Sequence, residues 1–393
     1  MAMTVRVAPP EGGNGGKRIV CYSEAWGQGG IETFLMTLFR RCQGEGFSFD
    51  LFSCWDWNLA MDSELKELGI ARYTVFPDYK PGQTKRLREG SVAFGELIEA
   101  LGPDAVYVNT MNGMGFLYSE VARKRGVPAR VVHSHNSAYG SGRAVAKAVM
   151  HNLGKVALGG SATARLACSA DAGRYLFGGR PFEVVNNGVD TARFAFDAAA
   201  RTEIRGRFGI PLCAPLFGSV GRIAEAKNPL FQIRTFAEIL RIEPNAYYLM
   251  VGDGDMKKQV VGLIGELGIA DRVIMPGYMP DPAPVYSALD CFLMPSLFEG
   301  LAIVCIEAQC ARCAIVCSEA LPPEAHVTDA EVLLPLSAGE QAWAEKAVEM
   351  AHMPGDRAAY VALVREAGFD ADDTARQVAR ALEPACSDAT IAY

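Results

Sequence analysis

The sequence predicts an α/β protein made of two doubly wound domains, each with a parallel sheet. Short, almost continuously apolar runs alternate with helix-length segments, as expected for strands that are buried on both faces of a parallel sheet. The alternation stops over residues 191–210, which are rich in Ala, Arg and Asp, and then restarts with a new apolar run. The length of 393 residues also fits two domains.

Each predicted strand is a short run rich in Val, Ile, Leu and aromatic residues, and each predicted helix spans a longer segment between two such runs. The predicted strands are 18–23, 104–109, 130–135, 164–169 and 182–187 in the first half, then 215–221, 247–253, 272–277, 291–296 and 314–318. The predicted helices are 30–43, 91–101, 228–241, 257–267 and 301–312, followed by a mainly helical stretch at 339–384.

These elements predict four segments. Residues 1–16 are expected to form a disordered tail, because Pro and Gly dominate the start of the chain. Residues 17–195 form the first domain and residues 196–370 the second, with the boundary placed where the strand pattern breaks. Residues 371–393 carry the last predicted helix.

The composition excludes some classes of protein. The net charge of −7 gives no reason to expect a nucleic-acid partner. No apolar run is long enough for a signal peptide or a membrane-spanning helix, so the expected location is the cytoplasm. Eleven cysteines in such a chain are expected to be reduced, and we expect core packing rather than metal binding for the four that cluster in an apolar segment, Cys305, Cys310, Cys313 and Cys317.

Two glycine-containing turns follow strands in the first half. The segment Gly27–Glu32 (GQGGIE) opens a helix, where backbone amides approach an anion most easily, and Gly29 and Gly30 are the candidate contacts. Its spacing is not that of the dinucleotide fingerprint. The second turn, NNGVD, offers Asn187 and Gly188 as site-lining residues, with a purely structural turn as the equal alternative.

Two of the five histidines lie together at the end of a predicted strand, in the sequence HSHN. Residues two apart in a strand point to the same face, so His133 and His135 are expected on one side of the sheet. A histidine beyond a strand end is well placed to contact a polar substrate. We favour His135, which lies further along, and keep His133 and Asn136 as further candidates.

Cations and glutamates follow two strands of the second half. Arg222 and Lys227 lie in GSVGRIAEAKNP between a strand and a helix, a chemistry that suits a diphosphate. In PSLFEGLAIVCIEAQ, Glu299 precedes a helix expected to start at about Leu301, and Glu307 lies two turns along it in apolar surroundings. A buried carboxylate needs partners, and two ribose hydroxyls would serve.

Two further patterns have plain alternatives. The turn after residue 251 contains Asp253 and Asp255, a spacing that elsewhere holds a metal, but here it fits a turn and helix cap, with Gly252 as a candidate contact. Residues 142–158, with Arg143, Lys147 and Lys155, form a predicted amphipathic helix. With the RKR at 123–125 this helix is a candidate for peripheral contact with an anionic membrane surface, at the inner face of the membrane. An ordinary surface helix is the alternative.

These motifs resemble one family in combination. FEGLAIVCIEAQ looks like the E-x7-E signature of retaining, GT-B-fold glycosyltransferases of family 4. The likeness continues in GGIETF, NNGVD, VGRIAEAKNP and LMVGDGD, and SEALPPEAHVTDAEVLLPL is most similar to the branch that builds exopolysaccharides and capsules. One departure is Ala302, where the family commonly has Pro; a free amide at an early helix position should cost little function.

The resemblance implies two Rossmann-like domains facing a cleft, with the last helix crossing back to the first domain. It implies a nucleoside diphosphate sugar donor that the second domain binds without an essential metal or other cofactor. The branch that the chain resembles favours a UDP-sugar as this donor. It also implies the following roles: Arg222 and Lys227 for the diphosphate, Glu307 for the ribose, Glu299 with the amides of Gly300 and Leu301 for sugar and phosphate, Gly29 and Gly30 for donor phosphate or acceptor, and His135 for the donor sugar.

The sequence therefore predicts a retaining hexosyltransferase that acts on a glycan or lipid-linked acceptor in surface polysaccharide biosynthesis. An epimerase or phosphorylase of the same fold is the alternative enzyme, although no lysine lies in a motif fitting a phosphorylase cofactor. A non-catalytic protein that binds a nucleotide sugar is the alternative outside the enzymes.

Overall fold

The computed structural model describes residues 3–9, 15–27, 29–137, 144–299, 302–353, 355 and 357–383. The chain divides into two compact units. Unit 1 comprises Met1–Gly188 with Ala371–Tyr393, and unit 2 comprises Val189–Asp370.

Unit 1 is built on an eight-stranded sheet with the order β1-β4-β3-β2-β5-β6-β7-β8. All neighbouring strands are parallel except the edge pair β1–β4, which is antiparallel. The strands are β1 (Thr4–Val7), β2 (Lys17–Trp26), β3 (Phe47–Asp56), β4 (Ala71–Phe76), β5 (Ala105–Thr110), β6 (Ala129–Ser134), β7 (Ala164–Ala167) and β8 (Glu183–Val184).

The helices of unit 1 among the described residues are α1 (Gly30–Cys42), α2 (Asp62–Glu67), α3 (Gln83–Leu101), α4 (Phe116–Lys124), α5 (Ala144–Leu158), α6 (Ala170–Phe177) and α14 (Ala371–Leu382). Although α14 comes last in the chain, it packs in unit 1, where Asp372 accepts a hydrogen bond from Arg41 of α1 at 2.5 Å. Its Val378 and Leu382 are buried among core residues of the first strands.

The predicted disordered tail is wrong for Thr4–Val7, which form the edge strand β1. Val7 is buried, and the Arg6 guanidinium bonds to Asp56 at 3.0 Å and to Asp78 at 2.6 Å. The alternating segment TVRV can therefore pair with β4, a strand signal that the surrounding Pro and Gly residues concealed.

Unit 2 has a fully parallel six-stranded sheet with the order β11-β10-β9-β12-β13-β14. Its strands are β9 (Leu216–Val220), β10 (Tyr247–Val251), β11 (Val273–Gly277), β12 (Cys291–Met294), β13 (Ala314–Cys317) and β14 (Glu331–Leu333). Its helices are α7 (Ala198–Arg207), α8 (Pro229–Ile242), α9 (Lys257–Leu267), α10 (Ala283–Ala288), α11 (Ile303–Cys310), α12 (Gly339–Ala351) and α13 (Tyr360–Glu366).

Both sheets bury both faces, as the apolar runs predict. In β2, Ile19 and Cys21 belong to one core cluster, while Val20 and Tyr22 belong to another on the opposite face. Unit 2 shows the same alternation in β10, where Leu249 lies in one cluster and Tyr248 in another. The predicted α/β class with two Rossmann-like parallel-sheet domains is confirmed.

The boundary between the units lies at 188/189, where the sequence predicts it at about 195. Backbone hydrogen bonds explain the position. The Gly188 amide donates to Thr374 Oγ1 at 3.1 Å within unit 1, whereas the Val189 amide donates to the Phe369 carbonyl at 2.9 Å within unit 2.

In each sheet the strand order reverses direction beside one strand, β2 in unit 1 and β9 in unit 2, and we call this place the switch point. In unit 1 the chain moves outward from β2 on one side through β3 and β4, and on the other through β5 and β6. In unit 2 the equivalent point lies between β9 and β12. Ligands of open parallel sheets bind outside the carboxyl ends of the strands at such a point.

Candidate functional site

Unit 2 has a recess at its switch point, and the two predicted phosphate-binding cations line it. Arg222 lies two residues after the end of β9, and Lys227 ends a short helical turn before α8. Ser296, which follows β12, and Val304 of α11 line the same recess. The loop after β9 thus holds both Arg222 and Lys227 at this place, as the sequence predicts, and the loop after β12 adds Ser296 to the same recess.

The backbones of two strand ends approach closely beside Arg222. Gly221 and Gly252 both have φ near +140°, a region that L side chains rarely adopt. A Cβ on Gly252 would lie 1.8 Å from the Gly221 carbonyl oxygen. Gly252 is therefore required for the packing of the β9 and β10 ends, and this structural requirement explains its presence without any ligand contact.

Lys227 and Glu299 form an ion pair in this recess wall. Lys227 Nζ lies 2.6 Å from Glu299 Oε1, and Ser296 Oγ donates to the same oxygen at 2.5 Å. The Glu299 side chain is only 7% exposed. The predicted diphosphate lysine and the predicted sugar-binding glutamate are therefore directly coupled, which the sequence did not reveal.

Glu307 of α11 is buried, as predicted, and its partner is a tyrosine. The Tyr286 hydroxyl of α10 donates to Glu307 Oε2 at 2.7 Å. Burial raises the pKa of Glu307 to about 7, and this hydrogen bond and the charge of Arg193 oppose the rise. At neutral pH the carboxyl is close to its point of half-ionisation, so hydroxyl donors from a ligand would favour its charged form.

The start of α11 differs from the prediction. The helix begins at Ile303 rather than at about Leu301, and Ala302 precedes it with φ +53° and ψ 63° in the left-handed region. Ala302 therefore occupies the N-cap position instead of an early helix position, and proline could not adopt this φ. The two predicted contacts Gly300 and Leu301 lie outside the described residues.

In unit 1 the two histidines share one face of the sheet, as predicted. Their ring centroids are 4.1 Å apart, and Phe34 of α1 lies 5.1 Å from each. His133 Nδ1 lies 2.5 Å from the hydroxyl of buried Tyr107. Both histidines have lowered pKa values because they are buried, and that of His135 falls to about 3.

Asn109, at the end of β5, determines which nitrogen of His135 carries the proton. Its amide nitrogen points to the Tyr107 carbonyl at 3.4 Å, so its oxygen faces His135 Nε2 at 2.9 Å. An amide oxygen only accepts, and the ring is neutral, so Nε2 is protonated. Nδ1 is left as an acceptor; it is buried and has no hydrogen-bond partner in the described part of the chain.

The glycine-rich turn of unit 1 encloses a carboxyl group. Gly29 is the N-cap of α1, and a Cβ on it would lie 2.6 Å from Glu32 Oε2. Burial raises the pKa of Glu32 to about 7. Gly30 has open space beside it. A carboxyl over this turn makes a hydroxyl-bearing ligand a better partner than a phosphate.

Unit 1 also has a recess at its own switch point, and the sequence did not predict its residues. Glu24 of β2 and Arg86 of α3 form an ion pair of 2.6 Å there, and Thr110 and Asn112 line it from the β5 side. The Arg86 side chain is only 11% exposed. Asn112 follows the end of β5, a position that the sequence marks, but Glu24 lies within β2 and nothing in the sequence pairs it with Arg86.

The turn Asn186–Gly188 serves the packing of α14. Thr374 Oγ1 donates to the Asn186 carbonyl at 2.8 Å and accepts from the Gly188 amide. The side-chain oxygen of Asn187 is buried without a described partner. Gly188 thus has the structural role that its turn predicts, while Asn187 remains a candidate contact. Asn136, the further candidate that follows His135, is half-buried.

The remaining patterns follow their plainer interpretation. Asp253 accepts from the Gly254 amide at 2.8 Å and pairs with Lys257, as in a turn, although Met256 is the residue that caps α9. The cysteines of the apolar segment are free and lie in the core of unit 2: Cys305, Cys310, Cys313 and Cys317.

The comparisons with known proteins agree with this architecture. Residues 28–193 match the family model described as Glycosyltransferase Family 4, and residues 200–365 match Glycosyl transferases group 1. EpsF of Bacillus subtilis, assigned as a glycosyltransferase, is 28% identical over 311 residues, which are 78% of this chain and 80% of EpsF.

A second relative and a solved structure extend the likeness. A UDP-Gal:α-D-GlcNAc-diphosphoundecaprenol α-1,3-galactosyltransferase of Escherichia coli is 25% identical over 50% of this chain and 52% of its own length. HepE of Anabaena, solved with UDP and glucose, has a TM-score of 0.70 at 18% identity, over 93% of this chain and 99% of HepE. No helix among the described residues is long and apolar enough to cross a membrane. The chain therefore belongs to the GT-B-fold glycosyltransferases, with a family 4 first half and a group 1 second half.

Proposed function

We propose that this chain is a retaining glycosyltransferase that moves a sugar from a nucleoside diphosphate sugar, with UDP favoured, to a glycan or lipid-linked acceptor of a surface polysaccharide. The observation that carries the proposal is the convergence of Arg222 and Lys227 on one recess at the unit 2 switch point. The planar guanidinium of an arginine and the compact ammonium of a lysine together suit a diphosphate. The UDP bound to HepE and the UDP-Gal and diphosphoundecaprenol in the name of the E. coli relative support the choice of substrates.

In the proposed reaction the bond between the anomeric carbon and the diphosphate oxygen breaks, and the acceptor oxygen bonds to that carbon on the same face. The acceptor proton passes to the departing diphosphate. Arg222 and Lys227 offset the negative charge that develops on the leaving group, and such preorganised charges commonly contribute most to catalysis. These two side chains supply positive charge to the diphosphate, so the proposal includes no essential metal.

In this proposal Glu299 competes with the diphosphate of the donor for Lys227. A diphosphate must draw Lys227 Nζ from Glu299 Oε1, which it contacts at 2.6 Å. The released carboxylate then accepts hydroxyl groups of the transferred sugar, the part proposed for Glu299. Glu307 binds the ribose, and its pKa of about 7 makes that contact stronger as the pH rises.

Unit 1 supplies the remaining groups in this proposal. His135 accepts a hydrogen bond from a hydroxyl group of the donor sugar through Nδ1, its one nitrogen without a described partner. The recess that contains Glu24 and Arg86 binds the acceptor, since an ion pair offers both a hydrogen-bond acceptor and several donors to a saccharide. The turn at Gly29 and Gly30 contacts a hydroxyl group beside Glu32.

A thermal-shift panel of UDP, GDP and their sugars, followed by transfer assays, tests this function. A nucleotide at 100 times its dissociation constant adds about 2.7 kcal/mol of stability. We expect a UDP-sugar to stabilise the chain and to be consumed only with an acceptor. Conversion to an isomeric sugar without acceptor would show an epimerase, and binding without any turnover would show a silent binding protein.

Variants of the two cations make the same assay specific. Arg222→Ala and Lys227→Ala should each reduce turnover severely while the fold persists, because the leaving group loses a charge partner. Lys346→Ala is a matched control, since Lys346 pairs with Glu349 on α12 and does not line the recess. Wild-type rates in a folded Lys227→Ala variant would rule out this assignment.

A further inference from the structure

A buried hydrogen bond connects α10 to the carboxyl group of Glu307. The Tyr286 hydroxyl donates to Glu307 Oε2 at 2.7 Å, and Tyr286 is fully buried. Burial and the nearby charge of Glu307 raise the pKa of Tyr286 well above its usual value. The phenol therefore stays neutral, and its proton is available to Glu307 whenever the carboxyl group is charged.

Two aromatic rings and a backbone contact fix the position of this hydroxyl. The Tyr286 ring centroid lies 5.9 Å from that of Phe194 and 5.9 Å from that of Phe292 in β12, with interplanar angles of 62° and 58°. The Tyr286 carbonyl accepts from Arg357 Nη2 at 3.0 Å. Tilted ring contacts of this kind stabilise buried aromatic side chains, so the ring has little freedom to move its hydroxyl away from Glu307.

The hydrogen bond leaves one carboxylate oxygen of Glu307 for a ligand. Tyr286 occupies Oε2, whereas Oε1 has no hydrogen-bond partner within the ranges that the structure describes. A carboxylate oxygen accepts hydrogen bonds through two lone pairs, so Oε1 can serve neighbouring hydroxyl groups of a ribose. Because the donor on Oε2 restricts rotation of the carboxylate, Oε1 is held in one direction.

The charged groups around Glu307 leave Tyr286 as the stronger influence on the carboxylate. Burial raises the pKa of Glu307, and the bond from Tyr286 opposes that rise more than the charge of Arg193 does. Arg193 Nη2 also pairs with Asp281 Oδ1 at 2.8 Å, and the charge of Asp281 raises the pKa of Glu307. One turn further along α11, the Cys310 thiol is near three more charged groups, which belong to Asp190, Arg365 and Asp370. Tyr286 is therefore the main described group that keeps this carboxyl charged.

We propose that Tyr286 is the positioning residue of the ribose site: its hydroxyl holds Glu307 Oε2, favours the charged carboxylate and leaves Oε1 to accept from the ribose hydroxyls. This role rests on the proposed function of Glu307 as the ribose ligand. Tyr286 acts through Glu307 and does not itself contact the nucleotide. A purely structural hydrogen bond would instead change the stability of the fold and leave the pH dependence of nucleotide binding as it is.

Calorimetric titrations of UDP into the wild type and Tyr286→Phe between pH 6 and pH 8.5 test this role. Phenylalanine keeps the ring and removes only the hydroxyl. Loss of a hydrogen bond to a charged group should raise the pKa of Glu307 by roughly 1, which reduces its ionised fraction at pH 7 from about a half to about a tenth. We therefore expect UDP affinity to fall about fivefold at pH 7 and less than about twofold at pH 8.5.

Deoxynucleotides show whether the effect passes through the ribose. UDP is compared with 2′-deoxy-UDP and 3′-deoxy-UDP at pH 7. The wild type should prefer UDP over at least one of them by about tenfold, the loss expected for a charge-assisted hydrogen bond. In Tyr286→Phe the preference should fall to about threefold, because a mostly neutral carboxyl group makes a weaker hydrogen bond.

Tyr360→Phe is the matched control. Tyr360 lies in the same unit and is buried, and its hydroxyl also donates to a carboxylate, that of Asp329, at 2.5 Å. Its loss should lower the melting temperature and leave the UDP affinity and its pH dependence unchanged. Melting temperatures of both variants also verify that the fold persists.

The outcomes separate this role from the proposed function. Coinciding pH profiles for the wild type and Tyr286→Phe, while Glu307→Gln weakens UDP binding, would overturn the role of Tyr286 alone. Wild-type affinity and wild-type preference for UDP in Glu307→Gln would overturn the ribose assignment, and the role of Tyr286 with it. An equal change in Tyr360→Phe would show a general effect of a lost hydrogen bond and would also overturn the role of Tyr286.

Discussion

At the scale of single residues, Asn109 controls the chemistry available to His135. Its side-chain oxygen holds the proton on Nε2, and burial keeps the ring neutral, so only an acceptor nitrogen is offered to a ligand. This makes Asn109 a positioning residue for the proposed donor-sugar contact. No pattern in the sequence marks it, because an Asn at a strand end is also a common turn residue.

Replacing Asn109 by Asp should raise the pKa of His135, because a carboxylate favours the charged imidazole by about one unit or more. The expected result in a nitrogen-15 histidine titration is a His135 resonance that moves at higher pH than in the wild type. Only five histidines contribute signals. Asn112→Asp is the control, since Asn112 accepts from the Met114 amide instead; an unchanged His135 titration in Asn109→Asp would contradict this role.

A second residue-scale prediction concerns Glu307, whose pKa burial raises to about 7. The folded state holds this proton more tightly than the unfolded state does, so the stability it contributes is present at low pH and is lost as the pH rises from about 4.5 to about 7. The loss amounts to roughly 3 kcal/mol. Glu307→Gln should remove it, seen as a flatter pH dependence of the free energy of unfolding.

The affinity for the nucleotide should depend on pH in the opposite direction to the stability. Ribose hydroxyls donate to the charged carboxylate, so UDP affinity of the wild type should increase between pH 6 and pH 8 more than that of Glu307→Gln. The comparison with this variant removes the contribution of the nucleotide's own phosphate titration. Parallel pH profiles for the two proteins would speak against Glu307 as the ribose ligand.

At the scale of elements, the start of α11 is the feature that sequence patterns predicted least well. An alanine gives no signal for a left-handed backbone, yet Ala302 has φ +53°. That conformation costs an L residue about 1–2 kcal/mol. The strain lies directly before the helix that carries Glu307 and after the loop that carries Glu299, where the predicted contacts are concentrated.

Ala302→Gly should therefore stabilise the protein, by up to about 1 kcal/mol after the entropy of the unfolded glycine is counted. Ala302→Pro should destabilise it, because proline fixes φ near −65°. Melting temperatures measure both. Ala338→Gly is the control, since Ala338 precedes α12 with an ordinary φ of −67°; stabilisation by Ala302→Pro would contradict the left-handed conformation.

The apolar pattern predicted most of the other strands but not all of them. All ten predicted strands are present, whereas β3 and β4, which are largely buried, and the short strand β14 were not predicted. Helix α3 begins at Gln83 rather than at residue 91, because its first turns are charged and exposed and carry no apolar signal. The strand β1 was concealed by neighbouring Pro and Gly residues, although Arg6 pairs it with distant acids.

At the scale of the whole molecule, the repeated strand order explains why single motifs could be placed in advance. The loop that follows β9 lies at the switch point of unit 2, so Arg222 and Lys227 were identified from their position after a strand. The ion pairs Lys227–Glu299 and Glu24–Arg86 were not, because each joins residues 62 or more positions apart. Such pairings depend on the three-dimensional fold.

The most direct test of the central claim is a calorimetric titration of UDP into the wild type, Lys227→Ala, the double variant Lys227→Ala/Glu299→Gln and the control Lys346→Ala. A lost charge-assisted contact should weaken binding about tenfold or more. The account predicts this loss in both Lys227 variants and unchanged affinity in Lys346→Ala. The double variant attributes the loss to the missing lysine, because it no longer leaves a charged Glu299 without its partner. Equal UDP affinity in all four proteins would contradict it.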